Sequence, residues 1–127
     1  MKKDSIALIQ LTDKHTEVLG GLITLFKEFY NNIYIYYYPY TSDFIKYYRN
    51  IFKNKVNIIL CDISKDIKIH EHDMYIFTTA LEYLDFNNEL HKIPKNKLLL
   101  LSHNSDEYKE IKTCQRQNKK RLDKEPI

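Results

Sequence analysis

Ile6-Ala7-Leu8-Ile9-Gln10-Leu11 is an apolar run bounded by polar residues, and four more of its kind follow it: Ile33 to Tyr38, Val56 to Leu60, Met74 to Phe77 and Leu98 to Leu101. The runs recur roughly every two dozen residues, mostly with helix-like segments between them, which is the rhythm of a chain alternating strand and helix. Each run is close to continuously apolar, so each strand has to be covered on both faces, as strands of a parallel sheet are. The predicted fold class is therefore α/β with a five-stranded parallel sheet.

Outward from the first run, Thr12-Asp13-Lys14-His15 leads into a helix whose apolar face is Val18, Leu22, Leu25, Phe26 and Phe29, with Asp13 as the expected N-cap. Gly20-Gly21 falls inside that helix, where each glycine costs about 1 kcal/mol relative to alanine. Close approach to the sheet is the expected reason for the pair. The second run, rich in tyrosine, ends at Pro39, and Ser42-Asp43 then caps a helix carrying Phe44, Ile45, Tyr48, Ile51 and Phe52. Strand, helix, strand, helix, strand make one complete half of a doubly wound sheet.

The link from Cys61 to Asp73 shows no helical pattern but is long enough to cross the sheet, so it is expected to carry the chain to the far side of strand one. That places the strands in the order 3-2-1-4-5, a single Rossmann-like three-layer domain. Thr79-Ala80-Leu81-Glu82 after the fourth run fits a capping box at the start of a further helix. Asn104 and Ser105 begin a last helix, with Asp106 and Glu107 in its first turn, Lys119, Lys120 and Arg121 near its end, and a thin apolar stripe of Tyr108, Ile111 and Leu122. Residues 1–104 are thus read as the Rossmann-like body and 105–127 as a basic helix and tail of the same domain, with the tail a docking element for self-association.

At 127 residues and 43% hydrophobic, the chain suits one domain with one core and excludes disorder over most of its length. No apolar run approaches the about 18 residues of a membrane span, and the start Met1-Lys2-Lys3-Asp4 leads into a strand, not a signal peptide. A cytoplasmic location without membrane partners is expected, with Cys61 and Cys114 as reduced thiols. The net charge of +3 is modest, so nucleic acid is not an expected partner despite the basic run from Arg116 to Lys124. Abundant Lys, Asn, Ile and Tyr point to an AT-rich genome of the kind large DNA viruses and some protists carry; for a virus the location would be the host cytoplasm.

On a doubly wound sheet a ligand sits outside the carboxyl ends of the strands. The residues projected onto that rim are Thr12, Asp13, Lys14 and His15, then Cys61 and Asp62, then Thr78 and Thr79, then Ser102 and His103. Polar residues at such positions also serve as ordinary loop and cap residues. His15 and His103 have the side chain best suited to proton transfer near neutral pH. His70-Glu71-His72-Asp73 presents two imidazoles on one side of an extended segment, yet it has no third ligand, so a solvated loop is expected and no metal. Phosphate-binding signatures GxGxxG and GxxxxGK[ST] are absent, as is the GxSxG elbow, and no cofactor is expected. Tyr34, Tyr36, Tyr37, Tyr38 and Tyr40 could offer faces to a sugar or base, but core and surface packing is the expected account of them.

The arrangement over Ser5 to His103 resembles the N-terminal Rossmann-like half of a GT-B glycosyltransferase. The matching elements are Ile6 to Ile9 leading to Asp13 and His15, the Gly20-Gly21 pair before an apolar helix, Asp73 to Thr79 followed by Glu82, and Leu98 to Leu101 ending in Ser102-His103-Asn104. The resemblance implies that these loops face an interdomain cleft, with Asp13, His15, Thr78, Thr79, Glu82 and His103 binding a sugar or nucleotide sugar. Two features depart from the family: the glycine pair falls late, and the chain ends where the donor-binding half would begin. The expected function is accordingly a stand-alone binding or accessory protein without its own donor site; any glycosyltransferase activity would need a partner domain. The alternatives are a flavodoxin-like or receiver-like signalling module, which would show the order 2-1-3-4-5, and an interaction protein without a small-molecule ligand.

Overall fold

In the computed structural model, which describes residues 1–13, 15–39, 42–65, 69–79 and 92–101, five strands form one parallel sheet. They are β1 (Lys3–Gln10), β2 (Tyr30–Tyr37), β3 (Asn57–Asp62), β4 (Met74–Phe77) and β5 (Leu98–Leu100), with α1 (Thr16–Phe26) after β1 and α2 (Ser42–Phe52) after β2. The spatial order is β3-β2-β1-β4-β5, as the helix-poor link to β4 predicts, and it differs from the 2-1-3-4-5 order of a receiver-like module. The register sets Ile6 opposite both Ile33 on β2 and Met74 on β4.

From Ser5 to Gln10 every residue of β1 is buried, which is what a central strand covered on both faces requires. On one face Ile6, Leu8, Ile33, Ile35 and Ile76 pack with Leu19 and Ile23 of α1 and with Ile45 and Phe52 of α2. On the other, Ala7, Ile9, Tyr36, Cys61, Tyr75 and Phe77 gather under Ile63, Ile69 and Ile93, residues of the connections. Both described α-helices therefore lie on one face, and the opposite face is covered by connections that hold no α-helix among the described residues and include the short 3-10 turn Lys95–Lys97 after Ile93. The helices expected to begin at Thr79 and at Asn104 fall on residues 80–91 and 102–127, outside the described residues.

Two local expectations are corrected. The N-cap of α1 is His15, in the left-handed region at φ 54° and ψ 40°, and not Asp13. The buried face of α1 is Leu19 and Ile23 flanked by Leu22 and Phe26, while Leu25 and Phe29 stand in solvent at 53% and 57% exposure. Strand ends also shift: β1 begins at Lys3, whose N–H donates to the Phe29 carbonyl at 2.9 Å, and β3 runs on to Asp62.

The glycine pair divides in two. A Cβ on Gly20 would stand 2.7 Å from Cε1 of Tyr48, so this glycine admits a ring of the neighbouring helix α2, not the sheet, whereas Gly21 faces open space. Gly21→Ala is expected to raise the unfolding free energy by about 0.5–1 kcal/mol through lost chain entropy in the unfolded state. Gly20→Ala is expected to lower it by about 1 kcal/mol, because the methyl must displace Tyr48. Urea denaturation of the two variants checks the opposite signs.

Candidate functional site

The order of the strands reverses at β1, so the crevice of this sheet opens between the carboxyl ends of β1 and β4. The backbone N–H of Thr78 donates to the Ile9 carbonyl at 3.1 Å, which carries the β1–β4 pairing one step past β4. The Thr78 hydroxyl lies 3.2 Å from the same carbonyl and also hydrogen-bonds Oε1 of Gln10, whose Nε2 donates to the Thr12 carbonyl at 2.7 Å. Gln10 and Thr78 are both fully buried. A buried amide and hydroxyl so tied hold the loop after β1 against the end of β4.

Next to that pair, Thr79 is 5% exposed and its Oγ1 has no hydrogen-bond partner. A buried hydroxyl left without a partner costs about 1–3 kcal/mol relative to one that is satisfied. Such a group is tolerated strain, the partner of an ordered water, or a position that a ligand's polar group can take. The side chain therefore makes no cap bond, and Glu82, its expected partner in the capping box, lies outside the described residues.

Of the other predicted rim residues, Asp13 is exposed in the turn after β1. His15 is also exposed, with Nδ1 3.9 Å from Oε1 of Glu17 in the first turn of α1. His103 falls outside the described residues. The rim thus brings Thr78 and Thr79 together with Gln10, a residue that sequence reasoning passed over as part of an apolar run. Its signal was available: one polar side chain inside six residues that are otherwise all apolar.

At the end of β3, Cys61 is a free, buried thiol whose pKa burial pushes up, so it is kept from the thiolate form. Cys114 lies outside the described residues. Asp62 accepts the Ser64 hydroxyl at 2.6 Å and the Ser64 N–H at 2.9 Å, and the hydroxyl bond above all holds its carboxyl below the usual range. That carboxylate closes a turn.

A second polar cluster lies on the face of the sheet opposite α1 and α2, between Ser5 near the amino-terminal end of β1 and Tyr36 near the carboxyl end of β2, and at His72, though not at its exposed neighbours His70, Glu71 and Asp73, the expected solvated loop is overturned. His72 is 3% exposed, with Nδ1 2.8 Å from Oγ of Ser5 on β1 and Nε2 2.7 Å from the hydroxyl of Tyr36 on β2. The Tyr36 hydroxyl also accepts the His70 N–H at 3.2 Å, and we assign the tautomer in which its own proton goes to Nε2 and Nδ1–H donates to Ser5. The Tyr75 hydroxyl accepts the His72 N–H at 2.9 Å and donates to the His70 carbonyl at 3.0 Å. Tyr34 covers the imidazole with ring centroids 4.5 Å apart.

Both ring nitrogens of His72 are engaged, which removes it from metal ligation, and no group of three His, Cys, Asp or Glu able to hold a metal occurs among the described residues. The Ser5–His72 pair has the spacing of a nucleophile and its base, but both residues are buried and the imidazole's second nitrogen faces a phenol, not a carboxylate. It is a structural cluster. Burial also raises the Tyr36 phenol beyond any physiological range, so it stays protonated and able to donate.

No family model, curated protein or solved structure matches this chain. Among the described residues no helix is long and apolar enough to cross a membrane.

Proposed function

We propose that this Rossmann-like domain is a binding module that takes the neutral, hydroxyl-bearing part of a small molecule at the β1/β4 crevice and does not turn it over alone. The observation that carries the reading is the buried, unpartnered Thr79 hydroxyl beside the Gln10–Thr78 pair. The chemistry around it favours a hydroxyl over a phosphate. Gln10, Thr12, Thr78 and Thr79 are uncharged, the loop Leu11-Thr12-Asp13-Lys14-His15 has no glycine to let backbone close on a pyrophosphate, and the first turn of α1 carries Glu17, which opposes an anion there. A sugar, free or as the sugar of a nucleotide sugar, fits that description and agrees with the GT-B resemblance, with Asp13 and His15 on the rim and Glu82 and His103 as further contacts. In this reading the protein works in the cytoplasm, and self-association belongs to residues 105–127.

Thr79→Val tests it, because the two residues have nearly one shape. Without ligand the variant is expected to be about 1 kcal/mol more stable, since an unsatisfied hydroxyl is removed. With glucose, UDP and UDP-glucose titrated in turn and backbone amide shifts recorded, the wild type is expected to respond at Gln10, Thr12, Thr78 and Thr79 to the sugar-bearing ligands. Thr79→Val is expected to bind at least about tenfold more weakly, the worth of one hydrogen bond. Shifts confined to other surfaces would sink the site, and release of free sugar or transfer by the purified chain would sink the non-catalytic reading.

A further inference from the structure

His72 holds a stretch of chain that has little else to hold it. Residues 69–73 are without helix or strand, and much of what anchors them passes through side chains: His70 N–H to the Tyr36 hydroxyl, His72 N–H to the Tyr75 hydroxyl, the Tyr75 hydroxyl to the His70 carbonyl, and the Ser5 N–H of β1 to Oδ2 of Asp73 at 3.1 Å. The one backbone bond of this stretch to a strand is Asp73 N–H to the Ser5 carbonyl at 3.0 Å. His70, Glu71 and Asp73 are exposed, so the apolar anchorage of the stretch rests on the half-buried Ile69 and the His72 ring. Segments of that kind open locally at low cost.

The imidazole is the member of the cluster that a proton disables. In its neutral form it donates through Nδ1 and accepts through Nε2; once protonated it has two donors and no acceptor. Nε2–H would then face a phenol that already receives the His70 N–H and whose own proton has lost its acceptor. The groups around the ring offer little to compensate. Ser5 on β1, Tyr34 and Tyr36 on β2, and Tyr75 on β4 are neutral, His70 opposes the charge, and the favourable carboxylates, Asp4 before Ser5 and Asp73 beside His72 in the chain, are both exposed.

We propose that His72 is an acid-released latch: neutral, it ties residues 69–73 to Ser5 of β1 and Tyr36 of β2, and on protonation it lets that stretch leave the sheet while the sheet itself stays folded. Opening would uncover the aromatic surface made by Tyr34, Tyr36 and Tyr75.

Burial first, and His70 second, push the ring down to about 4 in the closed form, from an ordinary 6.5. Between those values the open form carries a proton that the closed form does not, so the closed form's advantage is complete above 6.5 and is lost as the pH falls towards 4. From pH 7 to pH 5 the opening equilibrium rises about 20-fold on these values.

Amide hydrogen exchange on the full chain, corrected for the intrinsic pH dependence, reads this directly. The protection of the His70, His72 and Asp73 amides is expected to fall about 20-fold from pH 7 to pH 5, while Leu8, Ile35 and Ile76 keep theirs. His72→Gln, which cannot be protonated, is expected to show no such pH dependence. In the wild type the His72 ring protons, followed by NMR, should titrate well below the ordinary histidine value, a readout that does not depend on the variant folding. An equal loss of protection across all six sites, a pH-dependent opening that persists in His72→Gln, or a ring that titrates at the ordinary value would each overturn the latch.

Discussion

Tyr36→Phe is expected to lower the unfolding free energy by about 3 kcal/mol, although it removes one oxygen and leaves the ring in place. The hydroxyl serves two buried or half-buried groups at once, supplying a proton to His72 Nε2 and accepting the His70 N–H. Phenylalanine leaves His72 Nε2 without a partner in a buried site, which costs about 1–3 kcal/mol, and takes from the part-buried His70 N–H its acceptor. Tyr34→Phe is the control, since the ring that covers His72 is retained and Tyr34 is only half-buried. Urea denaturation at pH 7 separates the two, and equal, small effects would show that the Tyr36 network contributes little.

Phe77→Ala is expected to be costlier still, at about 4 kcal/mol. Phe77 is fully buried at the carboxyl end of β4, in the cluster with Ile9, Leu11, Tyr36 and Ile93. The face on which it packs is covered by connections, not by either described α-helix, and the cavity would open at the carboxyl end of β4. A loss of that size takes much of the about 5–15 kcal/mol that holds a domain folded. Leu99→Ala on the edge strand β5, where the side chain is 45% exposed, is expected to stay within about 0.5 kcal/mol. The midpoint of urea unfolding should shift for the first and hardly move for the second, at constant slope.

What the amino-acid sequence discloses about this molecule follows the strength of its hydropathy signal. Met74 to Phe77 is read to the residue, and the order 3-2-1-4-5 follows from the helix-poor link, because apolar runs and connection lengths are written directly in the chain. The start of β1 at Lys3 is not, since the Lys3–Tyr30 pairing is a backbone matter at an exposed end. Gly20 is flagged by its helix-breaking tendency, but that the obstacle is Tyr48 and not the sheet depends on how α1 and α2 cross. Thr78 and Thr79 are placed correctly on the rim by the fold rule alone, whereas Gln10 and the cluster of Ser5, Tyr36 and His72 join residues far apart in the chain. Period-two tyrosines on β2 show that phenols face one side; which side chain meets them is settled only when β4 docks.

That docking gives β1 an awkward history. In the folded protein β1 is the best-shielded strand, with β2 on one flank and β4 on the other, but these neighbours reach it at very different times. β2 follows after one helix, whereas Ser5 and its partner Asp73 are separated by 68 residues. A ribosome adding about 5–20 residues per second needs several seconds to supply that interval. Throughout it the nascent sheet ends at Ile6 to Ile9, an apolar strand with a row of unpaired peptide groups, the kind of edge that recruits other chains. The strand most secure in the finished molecule is thus the one most in need of a chaperone while the molecule is being made.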